Sequence, residues 1–311
     1  MSPETDYSFD GLSFRTLPRP GGELLCTVAT VNDVHFGETV CGLDDSRPDA
    51  GPVFSSEPGE PPYPETMNWA AVEEIVVDEP ALVVAKGDLT GDGAPGEYEA
   101  FLACYGETFG ERLLHIRGNH DAYRGQSFAD FGPQRQDVPG AVAALVDTTL
   151  PFMASGGFSA EQAAWLDEVG ASAAAAGLPV LVFGHHHAWN PGSRSRPDTY
   201  YGIHPDGSER LVEVFVRRPS LVGYFAGHTH RNRVRRFGVT GERPWVEVAC
   251  VKDFPGAWAA YRVYEGGILQ VVHRIRRADA LRWTERTRGM FDGLYPLFAF
   301  GDLGDRCFRV R

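Results

Sequence analysis

Cysteine is scarce in this chain of 311 residues: Cys26, Cys41, Cys104, Cys250 and Cys307 are scattered without CxxC spacing. An odd, scattered set indicates neither a disulfide framework nor a cysteine zinc site, and buried thiols are the expected state. Long apolar runs are missing too, and Met1 to Gly22 has no basic segment followed by an apolar one. No membrane span or secretory leader is therefore expected, and the chain reads as cytoplasmic. Positive charge is also short, with 29 Lys and Arg against 42 Asp and Glu for a formal net charge of -13. That balance opposes a long nucleic acid as partner, because such affinity comes mainly from cationic side chains neutralising phosphates. A small anion in a pocket is compatible with it, since divalent cations would make the pocket locally positive.

Hydrophobic residues make up 43% of the chain, ample for the core of one large α/β domain or two small ones. Residues 1–22 are polar, rich in Pro and Gly, and read as a loose arm or an edge hairpin. Leu24 to Val31 reads as the first buried strand, and residues 37–64 as a long inserted loop of Gly, Pro, Asp, Glu and Ser. Glu65 to Asp78 has helical apolar spacing and is closed by Pro80; a strand leads to Gly87-Asp88, a helix covers Pro95 to Thr108, and Leu113 to Ile116 is a strand. This β, α, β order implies parallel strands with helices as crossovers. Ser159 and Gln162 form a capping box opening an alanine-rich helix that stops at Gly177 and Pro179, before the strand Val180 to Phe183. After Val222 to Ala226, the stretches Arg233 to Val239, Trp245 to Val251, Ala259 to Tyr264 and Ile268 to Ile275 read as meander strands completing a second sheet. A domain over 23–275 would then be followed by an arginine-rich and aromatic tail, 276–311, packed against it.

Seven of the ten histidines fall in four short blocks, each after an apolar run: Asp33-Val34-His35, Gly118-Asn119-His120-Asp121, His185-His186-His187 and Gly227-His228-Thr229-His230. A fifth block, Gly87-Asp88, follows the run Ala81 to Ala85. Runs ending this way point to buried strands that deliver ligands to one sheet edge. Asp33 and His35 can share a cation if the backbone turns between them, and Asp88 has two oxygens with which to bridge a pair. Asn119 offers an amide oxygen, and the imidazoles of His186, His228 and His230 complete a mixed nitrogen and oxygen set. Such a set suits Mn, Fe, Zn or Co better than Ca or Mg.

In this order the blocks resemble the calcineurin-like metallophosphoesterases, whose pattern runs D-x-H, G-D, G-N-H-D or E, a histidine block and G-H-x-H. The resemblance covers about Leu24 to Ile275. It implies an α/β fold, a two-sheet sandwich with helices on the outside, and a centre of two divalent or mixed-valence transition metal ions (Mn, Fe or Zn) above the strand ends. One metal would be held by Asp33, His35, Asp88 and His230, the other by Asp88, Asn119, His228 and one histidine of the triplet. The family's ligand usually sits two residues before a proline; with Ala188 in the proline's place that residue is His186, and His185 is the alternative. His187 is then a substrate-side residue, a support behind the ligands or a turn residue. His120 matches the family's non-ligand histidine, which contacts the phosphoryl group or protonates the leaving oxygen. Asp121 either orients that imidazole or caps the turn.

The chemistry implied is hydrolysis by attack of a metal-activated hydroxide in line with the leaving group. More narrowly, the chain resembles the class III cyclic-nucleotide phosphodiesterase and glycerophosphodiesterase-like branch, which implies a small phosphodiester substrate. A phosphomonoesterase or nucleotide pyrophosphatase would use the same site. A non-catalytic scaffold is the alternative from a different class, although such relatives typically lose ligands that this chain keeps. Substrate contacts are expected from the 37–64 insertion, the aromatic tail and the loop from Trp189 to Gly207, where Trp189, Tyr200 and Tyr201 could stack on a base. The expected partner is a small phosphoester, with no long nucleic acid and no membrane; an oligomer is compatible with the sequence.

Overall fold

The computed structural model describes residues 2–43, 49–198 and 200–311, so positions 44–48 of the insertion and 199 of the later loop lie outside the described residues. In chain order the strands are β1 (Asp6–Phe9), β2 (Leu12–Arg15), β3 (Leu24–Val31), β4 (Leu82–Lys86), β5 (Leu113–Ile116), β6 (Gln134–Val138), β7 (Ala141–Leu145), β8 (Val180–Phe183), β9 (Leu221–Ala226), β10 (Arg233–Arg236), β11 (Pro244–Glu247), β12 (Ala257–Tyr264), β13 (Gly267–Arg274) and β14 (Cys307–Arg309). Two six-stranded sheets run in the orders β14-β13-β12-β3-β4-β5 and β10-β11-β9-β8-β7-β6, and β1 pairs with β2 as a separate hairpin. Strands β3, β4 and β5 are parallel neighbours, as are β7, β8, β9 and β11.

The two-residue period of a strand decides the layering. Leu82 and Val84 of β4 pack with Leu181 and Phe183 of β8 in a core between the sheets. The alternate residues Val83 and Ala85 face outward onto the helix Tyr63–Val77 through Met67, Ala71 and Ile75. Val180 and Val182 meet Leu166 of the helix Ala160–Ala175 and Leu211 and Phe215 of the helix Pro205–Arg217. The result is a helix, sheet, sheet, helix sandwich, in which each fully buried Val or Leu is worth roughly 1.5–3 kcal/mol.

Several sequence readings are corrected here. The four late stretches do not complete one sheet: β10 and β11 extend the β8-β9 sheet, whereas β12 and β13 return to pair beside β3. The hairpin β6-β7 and the helix Pro205–Arg217 were not read from the sequence at all. Strand β7 is Ala-Val-Ala-Ala-Leu, poor in β-branched and aromatic signal, and the helix opens on Pro205-Asp206-Gly207-Ser208, which reads as a turn although Pro is well suited to a first helical position. The tail joins the architecture through the helix Ala278–Thr287, which contributes Ala280 and Trp283 to the core, and through β14 on the edge of β13. All five cysteines are free thiols, and among the described residues no helix is long and apolar enough to cross a membrane.

Candidate metal centre

Each histidine or aspartate block occupies the turn after a parallel strand: Asp33 and His35 after β3, Asp88 after β4, Asn119 and His120 after β5, the triplet after β8, and His228 and His230 after β9. Parallel strands present their C-terminal ends at one edge, so both sheets deliver side chains to one place. The turns are tight. Asp33, His35, Asp88, His228 and His230 all have left-handed backbone, with φ of 52°, 49°, 50°, 68° and 54°. Such a conformation costs a non-glycine residue roughly 1–2 kcal/mol. It is held here by bonds between the turns: Asp33 N–H donates to Gly87 O at 3.1 Å, and the N–H groups of Val34 and His35 donate to Asp88 O at 3.0 Å. Across the sheets, His228 N–H donates to both oxygens of Asp33 at 3.1 and 3.0 Å.

The side chains form two groups that meet at Asp88. Asp33, His35 and His230 bring one donor atom each within 4.8 Å of one another, and so do His185, His186 and His228. Asp88 Oδ2 lies 3.5 Å from His35 Nε2 and 3.4 Å from His185 Nε2, while Asp88 Oδ1 accepts the His120 N–H at 2.9 Å. On the first side, His230 Nε2 is 3.4 Å from Asp33 Oδ1. On the second, His185 Nε2 is 3.0 Å from Asn119 Oδ1.

Within the triplet, both His185 and the sequence-preferred His186 bring a donor atom to the second group. His185 occupies the place between Asp88 and Asn119, and its Nδ1–H donates to Lys86 O at 2.8 Å, leaving the Nε2 lone pair on the inner side. His186 has its Nδ1 2.9 Å from Thr148 Oγ1, and its Nε2 is buried without a hydrogen-bond partner. Strand β8 ends at Phe183 and the chain bends at His185 and His186, so His185 is the first imidazole past the strand and lies one residue before the position counted back from Ala188. His187 is buried, with its ring 5.2 Å from Tyr200 and 6.2 Å from His228.

The electrostatics match a cluster of anions and imidazoles removed from water. Burial alone would raise the Asp33 carboxyl, but His230 and His185 hold it well below its usual range, and Asp88 is likewise held low against burial by His185 and His120. Burial pushes His186 and His228 well below the ordinary imidazole value. His120 is pushed down to about 4, by burial against the pull of Asp88. Its Nδ1–H donates to Gly91 O at 2.6 Å, and its ring centroid is 4.4 Å from that of His35. Asp121 does not orient this imidazole. Its carboxylate accepts Leu89 N–H at 3.0 Å, Thr90 N–H at 2.9 Å, Thr90 Oγ1–H at 2.6 Å and Gly118 N–H at 2.8 Å, which ties the turn after β4 to the turn after β5. Burial and the neighbouring Asp88 raise it to about 6.

His228 Nε2–H donates to the Tyr201 carbonyl at 2.9 Å, which leaves Nδ1 buried with no hydrogen-bond partner. An orphaned buried nitrogen beside carboxylates and an amide oxygen, with no thiolate among the donors, is the chemistry of a transition-cation site. The residues present thus fit a pair of divalent ions sharing Asp88.

Sequence reasoning missed the supports. Glu38 Oε2 lies 2.9 Å from His35 Nδ1, and Asp253 Oδ2 lies 3.8 Å from His230 Nδ1. A usable signal existed: Asp253 follows the short apolar run Val248 to Val251 much as Asp33 and Asp88 follow theirs. Lys86, fully buried, donates from Nζ to Ala226 O at 2.9 Å and ties β4 to β9 beneath the site. Trp189 is not offered to a substrate: it is buried, with the Arg196 guanidinium 5.7 Å from its ring. Tyr201 is the exposed aromatic, its ring centroid 4.1 Å from that of His228.

A two-sheet α/β sandwich with a clustered aspartate, asparagine and histidine set at its C-terminal edge is the architecture of the calcineurin-like phosphoesterases. The model of the calcineurin-like phosphoesterases matches residues 26–232, and the chain belongs to that family, which is dinuclear-metal dependent. The chain is 30% identical over 166 residues to glycerophosphodiester phosphodiesterase GpdQ from Enterobacter lignolyticus (strain SCF1), covering 49% of this chain and 57% of that relative's length. A dimetal phosphatase from Danio rerio shares the fold, with a TM-score of 0.61 and 16% identity over 82% of this chain and 98% of that one. A purple acid phosphatase from yellow lupin (Lupinus luteus) seeds gives 0.51 and 13% over 84% and 53%.

Proposed function

We propose that this protein hydrolyses a small phosphodiester, of the cyclic-nucleotide or glycerophosphodiester kind, at a centre of two transition metal ions. The observation that carries the reading is the pair of donor groups meeting at Asp88, whose Oδ2 lies within 3.5 Å of His35 Nε2 and 3.4 Å of His185 Nε2. In this reading Asp33, His35, Asp88 and His230 hold the first ion, and Asp88, Asn119, His185 and His228 the second. Bound there, two divalent ions supply Lewis acidity toward phosphoryl oxygens and activation of water near neutral pH. The rest falls to the chain. The Gly91 carbonyl fixes the His120 proton on Nδ1, so Nε2 is the atom left to meet substrate. An anionic phosphoryl group favours a second proton on that Nε2, from which the departing alkoxide takes it. His186 and His187 pack against His228, and Tyr201 lines the rim beside the same ring.

Support for a diester rather than a monoester comes from the likeness to a protein named glycerophosphodiester phosphodiesterase. The excess of negative charge supports a small substrate over a nucleic-acid polymer. The test is a screen of Mn-, Fe- and Zn-loaded protein against bis(p-nitrophenyl) phosphate, p-nitrophenyl phosphate, cyclic nucleotides and glycerophosphodiesters, with Asp88→Ala as blank. Metal-dependent turnover of the diesters is expected. Turnover confined to the monoester overturns the diester reading, and no metal-dependent turnover of any ester overturns the enzyme.

A further inference from the structure

The two candidate metal positions are backed differently. On the second, the outer ring nitrogens meet peptide carbonyls: His185 Nδ1 meets Lys86 O at 2.8 Å and His228 Nε2 meets Tyr201 O at 2.9 Å. On the first, both outer nitrogens face carboxylates: His35 Nδ1 is 2.9 Å from Glu38 Oε2, and His230 Nδ1 is 3.8 Å from Asp253 Oδ2. In both of those rings Nε2 is the inward atom, 3.5 Å from Asp88 and 3.4 Å from Asp33. A carboxylate behind a metal-binding imidazole fixes its tautomer and raises its basicity, and loss of such a partner typically weakens the metal 10–100-fold.

The two carboxylates share one ammonium. Lys252 Nζ lies 2.6 and 2.5 Å from the two oxygens of Glu38 and 3.9 Å from Asp253 Oδ2. Lys252 is 5% exposed and Asp253 2%, while the Glu38 side chain keeps 18% of its surface open, so water screens this triad only from the Glu38 side. Further contacts come from the C-terminal segment and the loop after β11: Tyr295 Oη–H donates to Asp253 Oδ1 at 2.8 Å, Cys250 Sγ–H donates to the same oxygen at 3.0 Å and also neighbours His230, and Trp283 Nε1–H donates to Lys252 O at 2.8 Å. Glu38 itself stands at the start of the inserted loop. Segments that the sequence offered as substrate contacts thus converge on the back of the first metal position.

We infer that Lys252 is a positioning residue for the first metal ion, its ammonium holding Glu38 and Asp253 against the outer nitrogens of His35 and His230. Removing it leaves Glu38 and the buried Asp253 without their shared counter-ion; the carboxylates turn away, and both imidazoles lose their anchors. The second position, backed by carbonyls, keeps its own supports. The inference rests on the two-metal reading above.

The test is a Mn(II) titration of the full chain stripped of metal, by calorimetry, with the two binding steps assigned by His230→Ala and His228→Ala. Lys252→Met is expected to weaken the first-site step 10–100-fold while the second-site Kd stays within about threefold, and Lys252→Arg to restore most of the loss. The Co(II) visible spectrum of the first site should change in Lys252→Met and return in Lys252→Arg. If Lys252→Met does not fold, Glu38→Gln is read the same way, first-site weakening supporting the inference and an unchanged first site overturning it. Unchanged affinity in Lys252→Met, or equal loss at both sites, overturns the role of Lys252 and leaves the two-metal reading standing. Uptake of fewer than two equivalents by the wild type overturns the two-metal reading and this inference with it.

Discussion

His185 Nε2 and Asn119 Oδ1 lie 3.0 Å apart, joining the turn after β8 to the turn after β5 at the place where a second cation would sit. His186 shares that donor group through a ring whose Nδ1 is held 2.9 Å from Thr148 Oγ1. His185→Ala should therefore reduce bound metal toward one equivalent, whereas His186→Ala should retain close to two and lose mainly stability. Elemental analysis after desalting separates these outcomes, and the reverse order would restore the proline-based register.

The outline of this centre was legible because its residues come in short blocks after apolar runs, and the strands β3, β5 and β8 were read with their observed bounds. Side-chain direction was not legible. The left-handed φ of Asp33, His35, Asp88, His228 and His230 is imposed by hydrogen bonds between turns far apart in sequence, such as His228 to Asp33. The choice between His185 and His186 depends on where β8 stops, and a single residue of slip exchanges them. The supports were invisible for the same reason: Glu38 and Lys252 meet only once the inserted loop and the loop after β11 are folded together.

Asp121 accepts four hydrogen bonds while fully buried, which makes it a brace between two ligand turns. Asp121→Asn replaces an acceptor oxygen with an amide that must face backbone N–H groups. A loss of about 1–3 kcal/mol is expected, the cost of leaving buried donors unpaired, read from urea unfolding of the metal-free protein. A change of under about 0.5 kcal/mol would mean that the turns do not depend on this carboxylate.

His120 should separate chemistry from metal binding. Its Nδ1 is committed to Gly91 O, and its backbone N–H, which survives substitution, is what touches Asp88. In His120→Ala, kcat is expected to fall roughly 10²–10⁴-fold, the usual worth of a general acid, with both metal equivalents retained. Metal loss equal to that of Asp88→Ala would make His120 a ligand instead, a role its proximity to His35 and Asp88 also allows.

His115 gives the fold an acid limit of its own, away from the metal centre. It lies on β5 with its Nε2 2.8 Å from Tyr98 Oη and its ring 5.2 Å from Phe101 and 5.1 Å from Phe131. Burial pushes its pKa down from 6.5 to about 4. Below pH 6.5 the unfolded chain therefore takes up a proton that the folded protein refuses until about pH 4, so this contribution is complete above 6.5 and is lost as pH falls through that window. At about 1.4 kcal/mol per pH unit the whole window is worth about 3 kcal/mol. His115→Gln keeps an acceptor for Tyr98 and removes the titration. Urea stabilities of wild type and variant, both in EDTA to exclude metal release, should converge or cross as pH falls from 7 to 4.5, the wild type losing more. A constant difference across that range would show that His115 is protonated in the folded protein as readily as in the unfolded chain.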